Sequence, residues 1–160
     1  MSDVPPVVIA SLLTRILREA FEGPPGPWTY FTDTSAAAGV FGTISGLSAA
    51  EASRPAGPAG STIAGHVHHL CSSLALTTRS IRGGAAGRDR STSWTVTVVN
   101  GAQWTDLQSR LRREYGALLV TLETHAAWDE DTLGDAIGAL AHTAYHLGAV
   151  RQRLAVQGAD

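Results

Sequence analysis

The sequence predicts an all-α protein, an antiparallel four-helix bundle with long and irregular connections. Three observations carry this prediction. Apolar residues recur at three- and four-residue intervals over four stretches, about 6–22, 61–82, 100–124 and 131–157. Glycine and proline cluster between the stretches, as in Gly23-Pro24-Pro25-Gly26-Pro27. The only strand-like run, Trp94-Thr95-Val96-Thr97-Val98-Val99, has nothing to pair with and reads as an extended connector.

The first stretch places Val8, Ile9, Leu12, Leu13, Ile16, Leu17, Ala20 and Phe21 on one stripe, and Pro5-Pro6 suits a helix start. Residues 23–60 form a long connection, with a short helical turn expected at Ser48-Ala49-Ala50-Glu51-Ala52, capped by Ser48. A connection of this length is more often functional than idle. The second helix begins near Ser61 or Thr62, with Ile63, Val67, Leu70, Leu74 and Ile81 as its stripe. At 100° per residue, His69 lies well to one side of that stripe, His66 nearer its edge and His68 opposite. Cys71 faces away from His69 and reads as a small packed residue. Asn100 and Gln103 resemble a capping box ahead of Trp104, Leu107, Leu111, Tyr115, Leu118, Leu119 and Leu122. Asp129-Glu130-Asp131 opens the last helix, where Leu133, Ile137, Leu140, Ala144, Leu147 and Leu154 form the stripe.

A chain of 160 residues is long enough for one compact domain and short for two, so residues 1–160 read as a single helical domain. With 44% hydrophobic and 16% charged residues, its composition is that of a soluble globular protein. A net charge of -2 argues against nucleic acid as the main partner. Arg110, Arg112 and Arg113 read as a solvated helix face, and Arg88-Asp89-Arg90 as a loop. The lone Cys71 excludes an internal disulfide. Residues 1–10 carry no secretory pattern and no apolar run approaches membrane-spanning length, so a cytoplasmic protein without a membrane partner is expected. Glycine-rich residues 83–87 lack the Lys-Ser/Thr ending of a phosphate loop and read as flexible.

The chemistry points to His142 and His146. Four residues apart, they share one helix face and can hold one ion between them. Taken alone the pair is unspecific, because the Glu that a zinc-peptidase helix carries after its first His is Thr143 here. Its weight comes from a third histidine. The offset of His142 and His146 from their helix's apolar centre nearly equals that of His69 from its own, so packing the two helices together aims three imidazoles at one point.

Around these residues the chain resembles the DinB/YfiT-like superfamily of metal-binding four-helix bundles. Ser61-Thr62-Ile63-Ala64-Gly65-His66-Val67-His68-His69-Leu70 is similar to the family's second-helix pattern, and His142-Thr143-Ala144-Tyr145-His146-Leu147-Gly148 to its fourth-helix His-x-x-Tyr-His-x-Gly. Leu47–Pro55 is similar to the segment that often precedes the second helix. Many members carry Gln after the motif's Gly, where this chain has Ala149. The second-helix motif leaves His66 open as a true or additional ligand; the register of Ile63 and Leu70 favours His69.

Three neutral imidazoles with an open fourth position describe a catalytic kind of site, with zinc the default and nickel or iron alternatives. The resemblance implies activation of a small cellular thiol, such as bacillithiol or mycothiol, for S-transfer. It also implies a homodimer. Hydrolysis by metal-bound water is the alternative enzyme, although no residue stands out as its general base. A non-catalytic metal-binding or interaction bundle is the third reading. Arg153, on the side of His146, reads as a solvated helix end or a contact for an anionic substrate. Tyr145 reads as a packing residue, Trp28, Trp94, Trp104 and Trp128 as core or interface with Trp94 able to line a pocket, and His125 as a helix-end contact.

Overall fold

The structure, a computed structural model, describes residues 4–35, 37–57, 60–84 and 93–158. Its elements are six helices: α1 (Pro6–Glu22), α2 (Val40–Ile44), α3 (Ala49–Ala52), α4 (Ile63–Ile81), α5 (Gly101–Thr124) and α6 (Glu130–Gln157). Among the described residues there is no strand, and Thr95–Val99 run without regular structure. Arg88-Asp89-Arg90 and residues 85–87 of the glycine-rich run lie outside the described residues.

Local chemistry sets the helix ends. Pro5 and Pro6 start α1 with the φ the first turn needs, and Gly23, at φ 91, stops it while its N–H reaches the Glu19 carbonyl. Ser48 with Glu51, Asn100 with Gln103, and Asp129 with Thr132 each close a reciprocal cap at the heads of α3, α5 and α6. Thr62 caps α4 by accepting from the Gly65 N–H, and its own hydroxyl donates to the Thr97 carbonyl. That second bond ties the connector to the helix carrying His66 and His69.

The four long helices pack in cyclic order, α1 against α5, α5 against α4, α4 against α6 and α6 against α1. Their directions follow from the contacts. α4 and α6 run antiparallel, because Ser61 meets Arg153, His69 meets His142 and Ser80 meets Asp135. α1 and α5 are also antiparallel, pairing Arg18 with Glu123 and Glu22 with Tyr115. α4 and α5 are instead parallel: Cys71 lies against the Leu107 carbonyl and, further along both helices, Arg82 reaches Thr121 and the Ala117 carbonyl. The expected antiparallel arrangement therefore fails for this pair. Parallel neighbours need a connection that returns along the helix, about 28 Å for the 19 residues of α4. By Thr97 the chain is back beside the head of α4, where the Thr97 carbonyl accepts from the Thr62 hydroxyl.

The core takes side chains from all six helices, with Leu17, Phe21, Ile44, Ile63, Leu70, Leu74, Leu111, Leu118 and Leu122 at 2% exposure or less. Phe21, Phe41 and Tyr115 stack in mutual contact at centroid distances of 4.8 to 5.3 Å, joining α2 to α1 and α5. The predicted stripes are too wide in two places. Val8 and Leu12 on α1 are 42% and 43% exposed, and Ile137 on α6 is 52% exposed. α6 packs chiefly on α4 and α1, so its inward face centres on Ala136, Leu140, Thr143, Leu147 and Val150, one step round from the face expected.

The 23–60 connection is held by a buried charge. Glu19, 2% exposed, accepts from the N–H groups of Tyr30, Phe31 and Thr32 and from the Thr32 hydroxyl at 2.8 to 3.0 Å. Burial alone raises its pKa; the backbone bonds from Phe31, Tyr30 and Thr32 outweigh burial and hold it below the ordinary value of 4.5. No described helix is long and apolar enough to cross a membrane.

Candidate metal centre

Antiparallel packing of α4 on α6 brings the predicted histidines together. His69 Nε2 lies 3.0 Å from His142 Nε2, and His146 Nε2 lies 2.8 Å from the same atom. One ligand atom from each of the three rings can be chosen within 4.8 Å of the others, so His69, His142 and His146 could hold a metal ion. Nitrogens around a tetrahedral ion at about 2.0–2.1 Å stand about 3.3 Å apart, slightly wider than the two contacts seen. The donor set fits a borderline ion: three imidazoles, each offering one nitrogen within 4.8 Å of the others, and no carboxylate in the group.

His66 stands outside this group. Its Nδ1 lies 2.7 Å from His146 Nδ1, the nitrogen on the far side of the ring from the shared point. Of the two candidates left open by the sequence, His69 faces His142 and His66 backs His146. The ring of His142 is backed in the same manner by Ser73, whose Oγ is 2.9 Å from His142 Nδ1. His68 points elsewhere, to the Ser93 carbonyl at 3.0 Å.

The connector closes the centre from above α4. Trp94 stacks on His69 at 4.4 Å and 18°, and sets its ring at 5.2 Å from His66 and 5.8 Å from His146. The connector lies close over this turn of α4, where a Cβ on Gly65 would meet the Val96 carbonyl at 3.4 Å and the Trp94 ring at 3.6 Å in ordinary contact. Trp94 thus lines the site, while Trp104 is buried and donates to the Leu47 carbonyl. Trp28 is 59% exposed.

Burial governs the protonation of the inner rings. His146 is pushed down to about 3, first by burial and then by the neighbouring His142, His66 and His69. His66 is pushed down to about 4, again by burial first and then by the Arg153 guanidinium and His69. Both rings are neutral at pH 7, the state in which imidazole binds metal.

Other residues fall differently from expectation. Tyr145 is 70% exposed, with its ring centroid 5.1 Å from that of His146, so it is a surface neighbour of the centre and not a core residue. Arg153 is neither a solvated helix end nor free for a substrate: its Nε donates to His66 Nε2 at 3.1 Å, one Nη donates to Ser61 Oγ at 2.7 Å and the other to the Ser61 carbonyl. Arg112 lies 4.2 Å over the Phe41 ring, so the arginine cluster on α5 is only in part a solvated face. His125 ends α5 and packs on Trp128. Of the residues missed, Ser73 had a signal, since it follows His69 by four and shares its face. Ser61 had none.

No family model matches the chain, and no curated protein or solved structure matches it either.

Proposed function

We infer that the protein is a divalent-metal-binding four-helix bundle of the DinB/YfiT-like kind, and an enzyme that uses its metal to activate a small-molecule thiol for S-transfer. The observation that carries this is the meeting of three imidazole nitrogens from α4 and α6 at one point, with no acidic residue among them. His69, His142 and His146 are the proposed ligands, and zinc is the metal their chemistry fits best, with nickel or iron as alternatives. When bound, such an ion keeps its full charge against three neutral ligands and makes a sulfur ligand a thiolate at neutral pH.

The protein's own residues then have separable tasks. Ser73 and His66 orient the rings of His142 and His146 from behind. Trp94 covers His69 and supplies an apolar wall against which a substrate chain can lie. Hydrolysis by metal-bound water is favoured less, because among the described residues no carboxylate joins the histidines to serve as general base. The cytoplasmic location and the homodimer expected from the resemblance belong to the same proposal.

The test is metal content and thiol binding on untagged protein. About one ion per chain is expected. A cobalt-substituted sample should gain a sulfur-to-metal absorption band on addition of a low-molecular-weight thiol. Uptake without a thiol band would leave the hydrolase or a non-catalytic metal protein; no uptake of zinc, nickel, iron or cobalt would overturn the metal reading.

A further inference from the structure

Four groups form a line running away from the histidine centre: His146, His66, Ser61 and Arg153. His146 and His66 meet through their Nδ1 atoms at 2.7 Å, and His66 Nε2 lies 3.1 Å from both the Ser61 Oγ and the Arg153 Nε. His66 and His146 are 4% and 2% exposed, so water does not mediate these contacts freely. Among the described residues no carboxylate pairs with Arg153, whose three nitrogens each donate to Ser61 or His66.

The direction of this line can be worked out. Guanidinium nitrogens only donate, so His66 Nε2 must be an acceptor and the proton of the neutral His66 ring sits on Nδ1. His66 Nδ1 then donates to His146 Nδ1, which leaves the proton of His146 on Nε2. That nitrogen is the one turned toward His142 and the shared point. A ring that carries its proton there cannot offer that lone pair to an ion. Ligation through Nε2 requires the opposite arrangement: His146 Nδ1–H donates, His66 Nδ1 accepts, and the His66 proton moves to Nε2. Ser61 can adapt, because a hydroxyl both donates and accepts. Arg153 cannot, because its Nε–H would face another N–H. Each ring keeps one proton throughout; only the nitrogen that holds it changes.

We propose that Arg153 is a positioning residue that acts on the centre through His66, holding His146 in the tautomer that does not bind metal, so that loading of the centre and the Arg153–His66 bond exclude one another. This rests on His146 being a ligand. A supporting arginine would strengthen metal binding; one acting in this way opposes it, and its removal tightens the centre.

The experiment measures zinc affinity by chelator competition in Arg153→Ala and Arg153→Lys, each made with His66 intact and in a His66→Phe background that keeps a ring but has no nitrogen. With His66 present, Arg153→Ala should bind zinc on the order of tenfold more tightly, in the range of other outer-sphere effects. Arg153→Lys should follow it, since the charge is kept but the fork is lost. In the His66→Phe background the gain should vanish. An equal gain in both backgrounds would mean charge repulsion across space and overturn the relay, as would weaker or unchanged binding in Arg153→Ala. Long-range proton–nitrogen NMR of the metal-free wild type provides a readout without metal: the proton is expected on His66 Nδ1 and His146 Nε2, moving to His66 Nε2 and His146 Nδ1 when zinc is added. Zinc uptake with unchanged tautomers overturns this coupling alone. If neither the wild type nor Arg153→Ala takes up zinc, the metal reading fails and the coupling with it.

Discussion

Glu19 and the histidine cluster, in which His66 and His146 are buried and His69 and His142 half-buried, are polar groupings satisfied in opposite ways. The Glu19 carboxylate is met by donors from one short segment, three backbone N–H groups and a hydroxyl, each a natural complement to a negative acceptor. The histidines meet one another. His142 Nε2 is shared between His69 Nε2 and His146 Nε2, like groups with one lone pair or one proton apiece. A buried polar group saturated by its own chain fixes structure. Rings that crowd one nitrogen with a single lone pair to share gain less from one another than from an ion bound there, which is how a site differs from an anchor.

Substitutions at the two places should separate these roles. The largest effect is expected from His142→Ala/His146→Ala, which should abolish stoichiometric metal uptake while leaving the helical circular dichroism and the metal-free urea midpoint close to wild type. A collapse of the fold in that variant would make the histidines structural. Glu19→Gln should do the reverse. It turns an amide N–H toward donors and should cost about 2 kcal/mol or more in urea unfolding, with zinc affinity unaltered. Loss of metal affinity in Glu19→Gln would break the distinction between anchor and site.

Ser73→Ala is a finer probe. Freed of the hydroxyl at its Nδ1, His142 should lose orientation, and zinc affinity should fall on the order of 10- to 100-fold. Metal-free stability should barely move, and a stability loss equal to that of Glu19→Gln would contradict the prediction.

A last contrast lies in the pH dependence of the metal-free protein, where the two groupings titrate in different windows. His66 and His146 have folded pKa values, about 4 and about 3, below the ordinary 6.5. The unfolded chain therefore binds more protons than the folded one below pH 6.5, and stability present above that value is lost as pH falls toward those lower values. Glu19 is lowered from 4.5, so the stability it contributes is present above 4.5 and is lost as pH falls through its folded pKa. Urea midpoints measured from pH 7 downward should thus decline first through the histidine window. His66→Phe should flatten that first decline, and Glu19→Gln only the part below about pH 4.5. A single decline unaffected by His66→Phe would remove the link to the buried rings.

Several features are legible in sequence because they are local. The caps at Ser48, Asn100 and Asp129 depend on residues three apart, and the long helices begin and end within two residues of their expected bounds. The equal offset of His69 and of His142 with His146 from their stripes is a property of helix geometry, so the three rings were open to prediction before their helices were placed. Helix α2 is harder to see. Val40–Ile44 is a single apolar turn interrupted by Gly42, and Phe41 makes it worthwhile only by packing on Phe21 and Tyr115.

What the sequence by itself determined is thus the all-helical character, the helix ends and the face each histidine occupies, since all of these follow from spacings of three and four along one chain. Tertiary structure decided the parallel course of α4 and α5, the Trp94 cover over His69 and the choice of His66 as backing for His146. It also turned Arg153 from a helix-end cation into a donor that sets the proton on His66. These depend on contacts between residues 25 to 87 positions apart, whose distance is fixed by packing and connector length and leaves no period in the sequence to read.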